Sequence, residues 1–499
     1  MHGDDDGRER SRAAEAKQAM TRNSQTAEVK SAMTWNPNAR RIACRVLVAG
    51  VVAATVAWGG QSVSTQANVT CETADGQERC LLSGRITADM TLTADTLWLL
   101  DGAVFVEEPA RLTIEAGTTI FGRSETNGTL IIAQGAQILA NGTADAPIVM
   151  TSDVADGERA RADWGGLIIN GRAPLNVPGG EAEGEGNTGV YGGNDPDDDS
   201  GHLYYVRVEF AGTEFSPDNE LNGIAFQGVG RNTEVDHIMV KLSKDDGLEF
   251  FGGTVEVKHV ICFAVADDSF DWTDGWQGKG QFMIAMQMGD DADQGIEADN
   301  NGDNNDLTPR SNPSIYNLTL IGDPYDFPGD ESDTGMLLRE GTAATIRNFI
   351  VTGFKEASID VDHPATFTQV TSGALTLESG LVYGNCIVDG CDGEFRPDSD
   401  DAEAPVSTMD FVTGAPNVML MDPVLGEPSH LCAFCPFDLI EPTRNFAPRA
   451  TSPAVTGYVP PAVPPNDGFF EIANFIGAVG PPGSGQDTWF MGWTDFALN

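Results

Sequence analysis

The chain has 499 residues, of which 75 are acidic and 29 basic, and its formal net charge is −46. A field this negative repels nucleic acids and anionic lipids, so no nucleic-acid partner is expected. The 57 glycines and the scarcity of amphipathic helical patterns favour an all-β body with many tight corners.

Residues 1–67 are typical of an export signal with an unusual polar extension, and Met33 is a candidate for the true start. Arg40, Arg41 and Arg45 precede the apolar run 46–58, and 65–67 resembles a cleavage site with small residues. The run is shorter than an ordinary membrane span, and an uncleaved signal anchor is the alternative. The sequence therefore predicts export to the periplasm, the cell surface or the medium.

Short units of strand, turn and strand begin near residue 85. Each unit has two alternating apolar residues, a corner glycine and a further apolar residue; the first copies are Leu97-Leu99-Gly102-Phe105, Leu112-Ile114-Gly117-Ile120 and Leu130-Ile132-Gly135-Ile138. Alternation with period two predicts strands, and repeats built only of strands predict a β-solenoid. We expect one solenoid over residues 68–400.

The clearest repeat lies in the middle of the chain, where 235–253 can be laid over 257–275 without a gap. Equivalent residues of adjacent coils lie roughly 4.8 Å apart, so three pairs of carboxylates should stack: Asp245 on Asp267, Asp246 on Asp268 and Glu249 on Asp271. Like charges this close favour a bound cation, and calcium is the hard cation that prefers oxygen ligands. The alternative is a solvated ladder in which Asp245 and Asp267 hydrogen-bond to turn amides.

A second acidic run offers oxygen ligands at every second position and is a candidate calcium loop with Asp299, Asn301, Asp303 and Asp306. It departs from the EF-hand pattern in its glycine position and lacks the final glutamate. A flexible acidic insertion is the alternative.

Catalysis by the central carboxylates is a further hypothesis. Asp267, Asp268 and Asp271 form a candidate acid/base trio of a polysaccharide lyase or glycoside hydrolase. The few nearby candidate bases are Lys244, Lys279, Arg310 and Arg339. Repetition of the acidic corner on both coils argues against an active site, which needs an arrangement found once.

Two aromatic or imidazole features remain in this region. Trp272 has the inward phase, whereas Trp276 is expected to be exposed and to bind a sugar ring. His237 and His259 share an outward phase and should stack, either as solvated side chains or as a metal site with two ligands.

The cysteines predict disulfides and agree with export. Cys71 and Cys80 should form one bridge, while Cys386, Cys391, Cys432 and Cys435 allow either local or crossed pairs. By alternation, Cys262 should be a small buried side chain.

After about residue 400 the repeats fade. Residues 401–499 combine proline-rich stretches with many large apolar side chains, and we expect them to cap the open end of the solenoid. A sorting or surface-docking module is the alternative.

Several segments resemble right-handed parallel β-helix proteins of the pectate-lyase-like superfamily, and more closely a group of secreted bacterial β-helix proteins. These segments are 112–118, 146–149, 164–167, 245–253, 267–272 and 492–494. The resemblance implies a right-handed parallel β-helix. The Gly-His-Gly and Arg-x-Lys motifs that follow the paired aspartates of polygalacturonase-type hydrolases are missing from this sequence.

The sequence therefore predicts an exported, calcium-binding β-helix that recognises carbohydrate or another cell-surface component. The alternatives are an enzyme that cleaves polysaccharides and a purely structural envelope protein.

Overall fold

The computed structural model describes residues 67–74, 77–216, 219–324, 331–426 and 446–498. The predicted export signal up to residue 66, Cys432 and Cys435 lie outside the described residues.

Strands are the main elements of the described chain, because its apolar residues alternate with period two. The first half contains β1(Asn68–Ala74), β2(Gln77–Ile86), β3(Met90–Leu92), β4(Thr96–Val106), β5(Arg111–Ile114), β6(Thr119–Gly122), β7(Thr129–Ile132), β8(Gln137–Asn141), β9(Ile148–Ser152), β10(Gly166–Asn170), β11(Glu181–Glu183), β12(Val190–Gly192), β13(Gly201–Glu209), β14(Glu214–Ser216), β15(Asn219–Glu220) and β16(Ile224–Gln227). The second half contains β17(Glu234–Lys241), β18(Leu248–Phe251), β19(Glu256–Phe263), β20(Phe270–Thr273), β21(Lys279–Met286), β22(Ile296–Ala298), β23(Ser314–Ile321), β24(Leu337–Leu338), β25(Ala344–Thr352), β26(Asp360–Val361), β27(Leu375–Tyr383) and β28(Val418–Leu420).

Helices are short and lie late in the described chain. They are α1(Pro364–Ser372), α2(Ser399–Glu403) and α3(Thr408–Gly414), and single 3-10 turns occur at Ser124–Thr126 and Glu185–Asn187. The side chains of Asp398 and Ser407 accept hydrogen bonds from the first backbone N–H groups of α2 and α3 and so cap these helices. No helix among the described residues has the length and apolar character needed to cross a membrane.

The strands form three parallel stacks, and the chain visits them in the order A, B, C on every coil. Stack A contains 84–86, 103–106, 129–132, 166–170, 224–227, 248–251, 270–273, 296–298, 337–338 and 360–361. Stack B runs from 90–92 to 375–378, and stack C from 78–82 to 418–420. This is the predicted right-handed parallel β-helix. Antiparallel pairing joins only β1 to β2, β11 to β12 and β14 to β15 among the described strands.

The inward residues of the three stacks form one continuous apolar core. Leu248 and Phe250 point inward as predicted and are fully buried, and Phe250 stacks on Phe226 of the preceding coil with ring centroids 5.3 Å apart. Cys262 belongs to this core and forms no disulfide, which confirms its predicted role as a small buried side chain.

From β13 to β27, the corner between stacks B and C is a single residue in the left-handed backbone conformation. The residues at this corner have φ values between 50° and 59°; in chain order they are Tyr205, His237, His259, Phe282, Asn317, Asn348 and Ser379. Positive φ is uncommon for residues other than glycine. Because this corner recurs on each coil from β13 to β27, these side chains form a continuous row, which we call the corner ladder.

The described parts of residues 401–499, which were predicted to cap the end of the helix, have two different positions. Val412 of α3 and its neighbours pack into the interior core after the last coil and cover its end. Residues 446–498, which we call the C-terminal strap, instead lie along the corner ladder and the outer face of stack C. Strap atoms hydrogen-bond to Ser379, Asn348 and Asn317 on successive coils.

The structure confirms two disulfides. One joins Cys71 to Cys80 across β1 and β2, and the other joins Cys386 to Cys391. The local alternative therefore holds for Cys386 and Cys391.

Candidate metal centre

The acidic corners lie where the chain enters stack A. Glu249 pairs with Asp271 on the next coil, as the repeat predicts, and Asp271 pairs in turn with Glu297 on a third coil. All three side chains belong to the outer face of stack A, because Leu248 and Phe250 on either side of Glu249 point inward. The cluster therefore spans three coils rather than the predicted two.

The third coil was missed for a simple reason. Asp245 and Asp267 are 22 residues apart, whereas Asp267 and Asp293 are 26 apart. The longer turn before Asp293 shifts the repeat, so an alignment without gaps does not reach Asp293 or Glu297. The signal that would have found them is the pattern Asp-x-small-apolar-acidic, which is common to all three corners.

The second aspartates of the first two corners, Asp246 and Asp268, each bind a backbone amide of the next turn. The N–H of Asp246 donates to Asn222 Oδ1 at 3.1 Å, and the N–H of Asp268 donates to Asp246 Oδ1 at 3.1 Å. Asp268 Oδ1 in turn accepts from the N–H of Gln294 at 2.6 Å. Hydrogen bonds to turn amides, which the ladder alternative assigned to Asp245 and Asp267, are thus made by Asp246 and Asp268, and each uses only one carboxylate oxygen.

Between the corners and two inserted loops lies a cavity of about 340 Å³. Its described lining is entirely acidic: Glu185, Glu220, Asp245, Asp246, Glu249, Asp267, Asp268, Asp271, Asp293 and Glu297. Glu185 and Glu220 were not predicted, because the 3-10 turn and the short strand β15 that hold them have no repeat signal. A neighbouring cavity of about 300 Å³ shares Asp267 and Asp293 with the first.

Burial and mutual repulsion make these carboxyl groups weak acids. Burial, followed by the charges of neighbouring carboxylates, raises the pKa of Asp246, Glu249, Asp268 and Asp271 well above the usual range. Burial and the charge of Asp267 raise the pKa of Asp245 to about 8. Burial and the charge of Glu220 raise the pKa of Glu185 to about 7.

The arrangement fits a hard cation. Three triads have carboxylate oxygens within 4.8 Å of one another: Asp245-Asp246-Asp267, Asp246-Glu249-Asp271 and Asp267-Asp268-Asp293. In addition, Asp271 Oδ1 is buried without a hydrogen-bond partner, and such an atom normally requires one. Calcium takes several oxygen ligands in flexible geometry and would satisfy both features.

The four candidate bases form ion pairs with different acidic residues. Lys244 lies at the edge of the neighbouring cavity and forms an ion pair with Asp291 at 2.5 Å. Arg339 bonds to Glu297 and Asp299. Lys279 pairs with Glu256 and Asp467, and Arg310 pairs with Asp306.

The four side chains of the predicted calcium loop are not gathered around one point in the structure. Asp299 pairs with Arg339, and Asp306 pairs with Arg310. Asn301 donates to Asp274 Oδ1 at 2.9 Å and accepts from the N–H of Asn304 at 3.2 Å. Asp303 is exposed. These four side chains do not share partners. Their hydrogen bonds and ion pairs are those of a folded loop.

The prediction that Trp276 is exposed is wrong. Its side chain is fully buried, stacks on Phe250 with centroids 4.0 Å apart, and donates from Nε1 to the carbonyl of Val255 at 3.2 Å. Trp276 directly follows Gly275, whose φ of 89° directs the chain around the corner. It is a core residue, as is Trp272.

His237 and His259 stack as predicted, with centroids 4.3 Å apart, but His259 is buried and His237 is half-buried. Trp489 of the strap packs on both rings. Asp236 Oδ1 lies 2.9 Å from Nδ1 of His237 and 2.7 Å from Nδ1 of His259. Burial opposes ionisation of Asp236, but the hydrogen bonds and charges of the two imidazoles outweigh it and hold its pKa well below the usual range.

Comparison with known proteins gives one match. The family described as pectate-lyase like beta helix domain matches residues 84–386, more than half of the chain. No curated protein and no solved structure matches. Disulfides are typical of proteins outside the reducing cytosol, and a domain of this kind supports a polysaccharide-related or surface β-helix protein. The chain belongs to the pectate-lyase-like β-helix family.

Proposed function

We propose that this protein is an exported β-helix protein that binds calcium in its acidic cavity and uses the ion to recognise carbohydrate or another cell-surface component. The observation that carries the proposal is the cavity whose described lining consists of ten carboxylate side chains and no other residue. The two disulfides and the family support a location outside the cytosol.

Electrostatics favours a cation over an empty cavity. Two unit charges one strand spacing apart repel by about 3 to 4 kcal/mol at an effective dielectric of 20. Without a metal, the protein must keep several of these groups protonated, which the raised pKa values describe. A divalent ion removes the repulsion and allows ionisation.

Recognition of a ligand would follow from incomplete coordination. Asp246 and Asp268 each spend one oxygen on a turn amide, and calcium takes 6 to 8 oxygen ligands. Hydroxyl or carboxylate oxygens of a glycan can fill the remaining positions. The ion would also offset the repulsion between an anionic glycan and a chain of net charge −46.

Polysaccharide cleavage by Asp267, Asp268 and Asp271 is the alternative. A glycoside hydrolase needs one protonated acid and one ionised carboxylate in distinct surroundings. Here burial raises the pKa of all three groups, which gives no such division of roles. Binding is therefore the favoured function, and a structural envelope role is the outcome if no ligand binds.

The test is calcium titration by calorimetry on the full chain, with Asp268→Asn and Asp271→Asn in parallel. We expect calcium to bind to the unmodified protein and each substitution to weaken binding at least about tenfold, or 1.4 kcal/mol. Asp303→Asn is the matched control, because Asp303 is exposed and does not line the cavity. The affinity of this variant for calcium should equal that of the unmodified protein.

Glycan arrays read with calcium and with a chelator then test recognition. Binding that requires calcium supports the proposal. Absence of calcium binding, or glycan binding that is indifferent to the chelator, would contradict it, and release of new sugar ends from a bound polysaccharide would favour the enzyme.

A further inference from the structure

The outer face of stack A changes character along the helix. Its outward positions on successive coils are Ala225 and Gln227, Glu249 and Phe251, Asp271 and Thr273, Glu297 and Asp299, and then Leu337 and, two residues later, Arg339. On the next coil Asp360 lies beside Leu337, and the acidic character resumes. Leu337 therefore interrupts the column of Glu249, Asp271 and Glu297. On the same coil, Arg339 lies in the neighbouring column, beside Asp299.

Arg339 is held against the coil before it. Its backbone N–H donates to the carbonyl of Ala298 at 2.9 Å, which continues the parallel register of the stack. Its Nε lies 2.9 Å from Asp299 Oδ1, and one of its terminal nitrogens lies 3.1 Å from Asp299 Oδ2. The same terminal nitrogen donates to Glu297 Oε1.

Glu297 connects this ion pair with the cavity. It lines the cavity with Asp271 and Glu249, and it is also bonded by Arg339. The guanidinium is a fixed positive charge that stays protonated at any relevant pH and grips two carboxylates at once. At the Arg339 end of the row, the chain thus provides its own cation.

We propose that Arg339 is a resident counterion that occupies the position of a bound cation and limits the calcium-binding site at Glu297. This inference rests on the proposed calcium-binding function and makes it specific, because it assigns the limit of the site to one side chain. When the guanidinium is removed, Glu297 and Asp299 become a carboxylate pair free to take a divalent ion.

The experiment compares the number of bound calcium ions in the unmodified chain, Arg339→Gln and Arg339→Lys, measured by equilibrium dialysis with metal analysis and by calorimetry. We expect Arg339→Gln to bind one more ion per chain and Arg339→Lys, which keeps the charge, to match the unmodified protein. The additional ion should be lost when Asp299→Asn is added to Arg339→Gln.

Arg347→Gln is the matched control. Arg347 pairs with Glu378 away from the cavity, and its side chain is 32% exposed, against 31% for Arg339. It should leave the number of bound ions unchanged.

Each outcome is decisive. If the unmodified chain binds no calcium but Arg339→Gln does, the proposed function fails, whereas the role of Arg339 as a counterion that keeps a cation from Glu297 and Asp299 stands. If Arg339→Gln gains no ion or loses calcium, the resident-counterion role is wrong. If the variant folds only in calcium, the ion replaces the guanidinium as proposed, and if it folds in neither condition the proposal is overturned.

Discussion

At the scale of single residues, the carboxylates of the acidic corners have two roles at once. Asp246 and Asp268 each use Oδ1 to bind the turn amide of the following coil. The same residues line the cavity. The turn hydrogen bonds therefore set the rotamers of these two carboxylates before any ligand arrives. Because both side chains are held in the acidic cavity, ionising them is costly.

The pH dependence of stability should reveal this cost. Burial raises the pKa of Asp245 from 3.8 to about 8, and those of Asp246 and Asp271 are also raised. Across that range the folded protein keeps protons that the unfolded chain has released, so the free energy of unfolding falls as pH rises.

We therefore expect chelated protein to lose on the order of 1 kcal/mol or more between pH 5 and pH 8, measured by thermal unfolding. Calcium should abolish the loss, and Asp246→Asn combined with Asp271→Asn should reduce it. Asp303→Asn should leave the slope as it is. A stability that rises over this interval in chelator would show that the carboxylates ionise at little cost.

At the scale of elements, the corner ladder joins the coils to the strap. Asn348 donates from Nδ2 to the carbonyl of Ala462 at 2.9 Å, and its Oδ1 accepts from the N–H of Ala462 at 2.7 Å. Asn317 donates to the carbonyls of Phe475 and Gly477. The amide side chains at the left-handed corners thus hydrogen-bond to the backbone of the strap. These bonds take the place of backbone pairing between strands.

Asn348→Gly should loosen the strap without straining the corner, because glycine accepts the φ of 57° while the amide is lost. Two buried hydrogen bonds contribute about 1 to 3 kcal/mol together. We expect limited proteolysis within 446–498 to become several-fold faster.

Asn127→Gly is the control, since Asn127 also has a positive φ, of 50°, but lies in the turn after Ser124–Thr126. It should leave the rate of strap cleavage unchanged. Equal rates for Asn348→Gly and the unmodified protein would mean that apolar packing alone holds the strap.

At the scale of the whole molecule, the strap covers an apolar surface on the outside of the β-helix, which is separate from its interior core. The outward residues of stack C are apolar on many coils and are fully or almost fully buried beneath the strap; they include Met239, Ile261, Ile284, Ile350 and Leu381. Trp493 and Phe496 pack against this face. The strap is therefore part of the folded body.

A chain that ends at residue 445 should expose this face and self-associate, because uncovered apolar patches of this extent drive association. Light scattering after size-exclusion chromatography would measure the mass, and a hydrophobic dye would report the exposed surface. Ile472→Ala in the full chain is the control, since Ile472 belongs to the strap but is 73% exposed. A monodisperse, dye-silent truncated monomer would show that the strap is dispensable.

The sequence by itself determined the features that repeat at short range. Alternation with period two and the 22-residue offset specify strands, the parallel stacking of adjacent coils and the pairing of Glu249 with Asp271. The disulfides between Cys71 and Cys80 and between Cys386 and Cys391 were open to prediction because their partners are close in sequence.

Only the tertiary structure decided the contacts between distant segments. Glu185 and Glu220 reach the cavity from segments inserted between the coils. Arg339 pairs with Glu297 from a later coil. The strap packs along the corner ladder, more than a hundred residues away in sequence. The physical reason is that a coil is specified by its neighbours and leaves a periodic trace in the sequence. A loop or strap packs once, through side chains whose partners have no fixed spacing along the chain.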